Sequence, residues 1–206
     1  MLQNDPELFE LSMSEKTQPL MDLVKKHCEE NIKPIQQEYS ALQNEKEDRW
    51  SWHPRQIELM EGAKEKAREL GLWNFFLPDP DGNIGDGLTN LDYTYVASEI
   101  GKYALASESM NCSAPDTGNM EVLERVGTEA QKKQWLEPLL NGEIRSAYAM
   151  TEPNLASSDA KNISTSAVLD GDEWVINGEK FYISGAGDPR CKIMITMVKT
   201  SPDAHP

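Results

Sequence analysis

The sequence is poor in cysteine and histidine, which form disulfides and bind transition metals. It has three cysteines and three histidines, far apart along 206 residues, and no C-x-x-C pair. Neither a disulfide framework nor a cysteine-based metal site is therefore expected, and a reducing compartment is the default environment. Because no run of 18 apolar residues and no signal peptide are present, the sequence predicts a soluble intracellular protein.

Positive charge is also scarce, since 20 Lys and Arg stand against 35 Asp and Glu and give a net charge of -15. Phosphate backbones repel such a surface, so nucleic acid is not expected as a partner. Apolar residues make up only 38% of the chain. Two interpretations of that low fraction stay open: further chain or a partner completes the apolar surface, or the protein is rich in helices with charged outer faces.

Helical periodicity dominates the first two thirds of the chain. Thr17 is the predicted N-cap of the first helix and Pro34 its end, while Gly71 is suited to follow the second helix. Thr89 and Thr128 each open a capping box. The predicted helices are 20–32, 54–70, 89–100, 119–125 and 128–140.

Strand-like runs replace the helices after Arg145. The pair Asn177-Gly178, between two of these runs, is the strongest short signal for a hairpin because both turn residues need positive φ. The pattern therefore predicts an antiparallel meander. The predicted strands are 146–150, 164–169, 173–176, 179–184 and 192–198.

These elements predict an α+β protein with two domains: an all-α amino-terminal helical domain over residues 1–145, and a partial antiparallel β domain over residues 146–206. Three or four antiparallel strands with open edges make a poor free-standing sheet. We therefore expect further strands to complete this domain.

Two segments of the predicted β domain could bind a flat polar ligand. In the first, a strand ends at Thr151 and passes into a polar turn, where free N–H groups and hydroxyls suit flavin carbonyls and a pyrophosphate. In the second, strand alternation puts Tyr182 and Ser184 on one face, as a stacking ring and a hydroxyl. From the residues alone, an ordinary surface turn and a half-exposed strand remain the alternative interpretations.

Two other motifs are set aside. Gly185-Ala-Gly187 resembles a dinucleotide fingerprint, but no third glycine follows and the next element is strand-like. The loop over residues 77–87 contains Asp79, Asp81 and Asp86, but its spacing is wrong for a calcium loop and the closing glutamate is absent.

Several runs, in matching order along nearly the whole chain, resemble the acyl-CoA dehydrogenase family. They are GTEAQKKQWLEPLLNGEIRSAYAMTEP, ASSD and WVINGEKFYISGAG, while NCSAPDTGNMEVL, ASSD and SGAGDPRCKI are similar to the subgroup of family members ten and eleven. The resemblance implies FAD-dependent α,β-dehydrogenation of acyl-CoA thioesters, in fatty acid β-oxidation and lipid metabolism. It also implies a chain that holds the amino-terminal part of the family's fold and ends before the carboxy-terminal helical domain.

The resemblance also carries over site residues, motif by motif. Tyr148, Met150 and Thr151 are expected to line the flavin ring. Ser157 and Ser158 are expected beside the pyrophosphate and the acyl-CoA, with Ser158 matching the substrate-binding serine. Tyr182 stands where the family usually has Trp beside the ring, and Ser184 where a hydroxyl approaches flavin N5. The catalytic base is expected in the carboxy-terminal domain, so no Asp or Glu of this chain is assigned to it.

Partners follow from the same resemblance. They are acyl-CoA as substrate, electron-transfer flavoprotein as the usual electron acceptor, and further copies of the full-length chain in a homo-oligomer. The compartment would be the cytoplasm of a bacterium, or the mitochondrion or peroxisome of a eukaryote. Two alternatives stay open: a flavin-dependent acyl-CoA oxidase, and a non-catalytic interaction protein that keeps only the amino-terminal fold.

Two departures from the family pattern affect these expectations. Asn154-Leu155-Ala156 replaces the usual Gly-Ala-Gly and is one residue longer, so the pyrophosphate turn is expected to differ. Tyr182 offers less stacking area than Trp. Since the family's remaining FAD contacts lie in the carboxy-terminal domain, this chain alone is expected to retain FAD weakly.

Overall fold

The computed structural model describes residues 11–77 and 87–201. Its internal contacts divide the chain into residues 1–113, which we call the helical unit, and residues 114–206, which we call the strand unit. The helices of the helical unit are α1 (Gln18–His27), α2 (Lys33–Ala41), α3 (Pro54–Glu69), α4 (Asn90–Ile100) and α5 (Ala106–Ser109). Within the described ranges, no helix combines the length and the apolar character needed to cross a membrane.

The first helical segment continues through Pro34, so the predicted end at this proline is wrong. Between α1 and α2 lies a π-helical turn, Cys28–Ile32, in which the Lys33 N–H donates to the Cys28 carbonyl. A proline has no N–H for the α-helical bond, and its ring crowds the preceding turn. The wider π-helical turn relieves that crowding and lets the helix proceed.

The amino-terminal end of α1 lies where predicted, with Thr17 at the N-cap position, but the capping bond itself differs. Thr17 makes no capping bond through its side chain; it closes a 3-10 turn, Glu15–Thr17, by donating its N–H to the Ser14 carbonyl at 3.0 Å. The Ser14 N–H in turn donates to Asp92 Oδ1 at 2.8 Å. This bond, helped by the Thr89 hydroxyl and opposed by burial, lowers the pKa of Asp92 to about 2.

The other predicted helix boundaries of the helical unit are confirmed. The Asp92 N–H donates to Thr89 Oγ1 at 3.1 Å, so Thr89 caps α4 as predicted. The Asp92 carboxylate accepts from the Ser14 N–H and the Thr89 hydroxyl instead of the Thr89 N–H, so the second bond of the predicted capping box does not form. Gly71 follows α3 at φ +74. Its N–H and that of Leu72 donate to the carbonyls of Arg68 and Ala67, at 3.0 and 2.8 Å, which is a Schellman termination.

The core of the helical unit contains a buried histidine. His27 Nε2 lies 3.0 Å from Ser109 Oγ, and its Nδ1 lies 3.3 Å from Asn31 Nδ2. The Ser109 hydroxyl donates its only proton to the Ala106 carbonyl at 2.8 Å. His27 must therefore donate from Nε2 and accept at Nδ1, so its neutral form suits the site. Burial lowers the pKa of His27 to about 4.

We expect the helical unit to lose stability between neutral pH and pH 4 through His27. A histidine whose pKa is lowered on folding contributes stability above its unfolded pKa of about 6.5, and that contribution disappears as pH falls toward the folded value. The full effect is about 3 kcal/mol. Urea titrations from pH 7.5 to 4 would measure it, with His27→Gln as the variant in which this part of the slope disappears. Equal slopes for both proteins would contradict the prediction.

The strand unit begins with helices. They are α6 (Asp116–Val126), α7 (Glu129–Gln131) and α8 (Glu137–Leu140), and a π-helical turn, Lys132–Leu136, joins the last two. The predicted capping box is confirmed, since the Gln131 N–H donates to Thr128 Oγ1 at 3.3 Å. Pro138 again follows a π-helical turn, which accommodates the proline without a break in the helix.

The strands of this unit form two small sheets rather than one antiparallel meander. The strands are β1 (Arg145–Ala149), β2 (Ser166–Asp170), β3 (Glu173–Asn177) and β4 (Cys191–Thr196). β1 pairs with β4 in parallel, with Tyr148 opposite Ile195, so the predicted antiparallel pairing is wrong here. Residues 150–190 lie between these strands, long enough for the crossover that a parallel pair needs.

Among the described residues, only β2 and β3 form the expected antiparallel hairpin. Asp170 pairs with Glu173 across a turn in which Gly171 has φ +66, so a hairpin turn joins the two runs predicted as strands 164–169 and 173–176. The predicted hairpin at Asn177-Gly178 does not form, because β3 ends at Asn177 and no strand follows over residues 178–190. β3 is exposed along its whole length. That further strands complete the domain stays a prediction.

Candidate functional site

A cavity of about 320 Å³ lies in the strand unit. It brings together five of the seven residues predicted to contact a cofactor. Its lining residues are Ala114, Pro115, Tyr148, Met150, Thr151, Tyr182 and Ser184. Ser157 and Ser158 are not among the described lining residues.

The first wall of the cavity comes from β1 and the residues that follow it. Ala147 and Ala149 are fully buried, whereas Tyr148 between them is 37% exposed, as strand alternation requires. Tyr148 therefore reaches the cavity from the outer face of the strand. Met150 and Thr151 line it just beyond the strand end.

The start of α6 anchors this wall. Asp116 is buried and accepts hydrogen bonds from the Ser146 N–H at 2.7 Å and the Ser146 hydroxyl at 2.6 Å. The same carboxylate pairs with the guanidinium of Arg145. Asn119, one turn later, donates to Ser146 Oγ at 2.8 Å and to the Ala147 carbonyl at 3.0 Å. These bonds hold β1 beside Pro115, which directly precedes α6 and lines the cavity.

The second wall is an irregular segment, Phe181–Ser184. The Phe181 N–H donates to the Thr151 carbonyl at 2.8 Å, and Thr151 Oγ1 donates to the Phe181 carbonyl at 2.5 Å. Tyr182 then has φ +57, a left-handed backbone. The predicted strand over 179–184 is therefore wrong, and strand alternation is not the reason that Tyr182 and Ser184 lie on the same cavity.

Aromatic side chains are unusually accessible at this wall. Tyr182 is 86% exposed and Phe181 is 45% exposed, and their ring centroids lie 4.1 Å apart. Exposed aromatic rings beside a cavity favour a ligand with a flat face, because rings stack in offset or tilted pairs. The Ser184 hydroxyl is exposed, and the described part of the chain offers it no hydrogen-bond partner, so it can bond to a ligand.

A buried ion pair underlies the two walls, and sequence reasoning assigned no role to either partner. Glu152 Oε1 lies 2.9 Å from Lys180 Nζ. Glu152 also accepts from the N–H and hydroxyl groups of Ser164 and Thr165, at 2.7 to 2.9 Å. Burial raises the pKa of Glu152, but these bonds outweigh burial and hold the pKa well below its usual range. The sequence did contain a signal for this pair. Glu152 stands next to Thr151 and Lys180 stands next to Phe181, and the two residues carry opposite charges.

The two predicted serines lie in the turn after the first wall. Ser157 is buried, accepts from the Glu152 N–H at 2.6 Å and lies 3.2 Å from the Glu152 carbonyl. Its hydroxyl therefore holds the turn together. Ser158 is exposed and lies outside the cavity lining. The roles expected of these serines at a pyrophosphate and an acyl-CoA stay predictions.

The described lining carries hydroxyls, aromatic rings, a thioether and a proline, but no carboxylate. Such a cavity can bind and orient a planar, partly polar group. The described lining also holds no histidine, so neither of the commonest general bases is present there. The acidic loop with Asp79, Asp81 and Asp86 lies outside the described residues.

Two family descriptions match the chain in succession. They are "Acyl-CoA dehydrogenase, N-terminal domain" over residues 14–143 and "Acyl-CoA dehydrogenase, middle domain" over residues 147–206. Since they cover most of the sequence, the chain belongs to the acyl-CoA dehydrogenase family. The family resemblance and the predicted order of a helical and a β domain are thereby confirmed. The boundary predicted near Arg145 stays a prediction, since the contacts divide the chain at Ser113.

Known proteins resemble the chain over most of its length. Mouse acyl-CoA dehydrogenase family member 10 is 48% identical over 93% of this chain and 18% of its own length. A Mycobacterium abscessus structure assigned as an acyl-CoA dehydrogenase is 42% identical with a TM-score of 0.84, over 94% of this chain and 48% of its own.

A more distant relative was solved with a reduced flavin. The glutaryl-CoA dehydrogenase of Mycobacterium smegmatis, in complex with FADH2, is 24% identical with a TM-score of 0.58, over 86% of this chain and 42% of its own. At that identity the likeness shows the fold alone. The chain spans between 18% and 35% of the length of the first curated relatives that it matches.

Proposed function

We propose that this chain forms the flavin-facing part of an FAD-dependent acyl-CoA dehydrogenase, which oxidises the α,β bond of an acyl-CoA thioester. The observation that carries the proposal is the convergence of Thr151, Tyr182 and Ser184 on one cavity. Family membership supports the reaction class. The flavin complex of the Mycobacterium smegmatis relative supports the choice of cofactor.

The residues present fit a flavin ring. A cavity of about 320 Å³ lies at the small end of the range that holds organic ligands. Tyr148 and Tyr182 would stack on or beside the ring, and Met150 would contact it through a soft thioether. Because the Thr151 proton already goes to the Phe181 carbonyl, Thr151 Oγ1 would accept a bond from the ring, whereas Ser184 would donate one.

FAD, when bound, supplies the acceptor for the hydride that leaves the β-carbon. This chain's own residues bind and orient the flat ring and shield one side of it from water. Ser158, an exposed hydroxyl in the turn after the first wall, would contact the pyrophosphate and the acyl-CoA. Removal of the α-proton needs a carboxylate that the described lining does not supply, so that group would come from elsewhere in the enzyme.

The partners proposed for the whole enzyme follow from its class. Electrons would pass from the reduced flavin to an electron-transfer flavoprotein, and the enzyme would be a homo-oligomer. The exposed aromatic side chains of the second wall favour a role in binding over a role in a hydrophobic core, since large exposed apolar patches mark interaction sites.

The test is anaerobic reduction of the flavin. We expect the longest natural protein that contains this chain, loaded with FAD, to lose the visible absorption band of oxidised flavin when acyl-CoA is added. The matched control is the corresponding free fatty acid, which lacks the thioester that acidifies the α-proton. Failure to bleach with acyl-CoA of every chain length would sink the proposal, and peroxide formed in air would identify an oxidase instead.

A further inference from the structure

The second wall of the cavity has no regular sheet to hold it. No residue from 178 to 190 lies in a strand, yet this segment supplies Tyr182 and Ser184 to the cavity. A wall of this kind needs other contacts to fix its position, because an unpaired backbone segment has many accessible conformations. Lys180 supplies such contacts one residue before Phe181.

Lys180 joins the second wall to the first through its side chain. Its ammonium donates to the Met150 carbonyl at 2.8 Å and to Glu152 Oε1 at 2.9 Å. The Lys180 side chain is 12% exposed and that of Glu152 is 3% exposed. Charge-assisted bonds at such burial are strong, because little water competes for them.

Glu152 ties a third segment into the same arrangement. Its other bonds come from Ser164 and Thr165. Thr165 in turn packs against Gly178, where an added Cβ would lie 2.4 Å from Thr165 Oγ1. The backbone that leads into the second wall therefore passes Thr165 at a distance that only glycine permits, two residues before Lys180.

We propose that Lys180, held by Glu152, is a positioning residue that sets the place of Tyr182 and Ser184 relative to Met150 and Thr151. The inference rests on the proposed flavin site, whose geometry it explains. Without the ammonium, the polar links left between the two walls among the described residues would be the two bonds between Thr151 and Phe181, one from the Phe181 N–H and one from the Thr151 hydroxyl. The aromatic ring and the free hydroxyl would then lose their fixed distance from the first wall.

Hydrogen–deuterium exchange on the purified chain tests this inference without any cofactor. Lys180→Met should speed amide exchange in residues 179–184 by about tenfold, while the amides of β1 and β4 change by less than about twofold. Lys180→Arg should restore most of the protection, because a guanidinium can donate to both oxygens. Lys161→Met is the matched control, since it removes the same charge from an exposed site in the same unit.

The outcomes separate the inference from the proposed function. Unchanged exchange in residues 179–184 of Lys180→Met, or equal acceleration in β1 and β4, would overturn the positioning role. Flavin fluorescence titration of the longest natural protein then tests the site: FAD should bind Lys180→Met at least about tenfold more weakly than Lys161→Met. If the unmodified protein does not bind FAD, the proposed function fails, whereas the exchange result still decides the inference.

Discussion

Replacing Glu152 by alanine is expected to lower the free energy of unfolding of the strand unit by about 4 kcal/mol. The change removes the acceptor of five hydrogen bonds, from Ser164, Thr165 and Lys180. A buried ammonium and several buried donors would be left without their partner, which costs more than the pair itself contributes. Urea unfolding at neutral pH, followed by tryptophan fluorescence, would measure the loss.

The sign of the pH dependence gives a second check on Glu152. Its folded pKa lies below the unfolded value of about 4.3, so the carboxylate stabilises the fold above that pH. The difference between the unmodified protein and Glu152→Ala should therefore be full at neutral pH and shrink as the pH falls below about 4. Glu173→Ala, at an exposed position in β3, is the control and should change little. Equal stability of Glu152→Ala and Glu173→Ala would refute the role given to Glu152.

Asp116→Ala should lower the free energy of unfolding by about 3 kcal/mol. The carboxylate is 2% exposed, pairs with Arg145 and accepts two bonds from Ser146. Its loss would detach the start of α6 from β1 and leave the Arg145 guanidinium without this carboxylate in a largely buried place. Thermal unfolding followed by circular dichroism would show a midpoint lower by about 10 °C or more.

A matched control for Asp116 lies on the same helix. Glu121 pairs with Arg125 at 3.5 Å, but both side chains are substantially exposed. Exposed pairs contribute little, so Glu121→Ala should cost less than about 0.5 kcal/mol. If Asp116→Ala and Glu121→Ala destabilise the protein equally, the buried network at β1 does not have the strength assigned to it.

Short-range signals in the sequence predicted the local structure well. The N-cap at Thr89, the capping box at Thr128 and the termination at Gly71 are confirmed, because each depends on bonds between residues a few positions apart. Pro34 shows the limit of such rules. The proline rule assumes an α-helix, and the π-helical turn before Pro34 changes that geometry.

The pairing of strands that lie far apart in the chain was harder to predict from the sequence. The runs at β1 and β4 were recognised as strands, but their parallel direction depends on how residues 150–190 return along the chain. Asn177-Gly178 has the composition of a hairpin turn, yet no partner strand follows it. An Asn-Gly pair forms a hairpin only where both flanking segments can pair as strands, and that pairing depends on the rest of the fold.

For the candidate site, residue identity was predictable and geometry was not. The motifs named Thr151, Tyr182 and Ser184, which do share a cavity. The reason inferred for two of them, strand alternation, was wrong, since Tyr182 has a left-handed backbone. Ser157 was assigned to a ligand, but its hydroxyl bonds to the backbone of Glu152.

The sequence alone determined the family, the order of helices before strands and five of the residues that meet at the cavity, because motifs and periodicity depend on neighbouring positions. Only the tertiary structure decided the direction of β1 and β4, the irregular second wall and the Glu152–Lys180 pair. Those features join residues 28 to 47 positions apart, and contact between distant residues depends on the folding of all the chain between them.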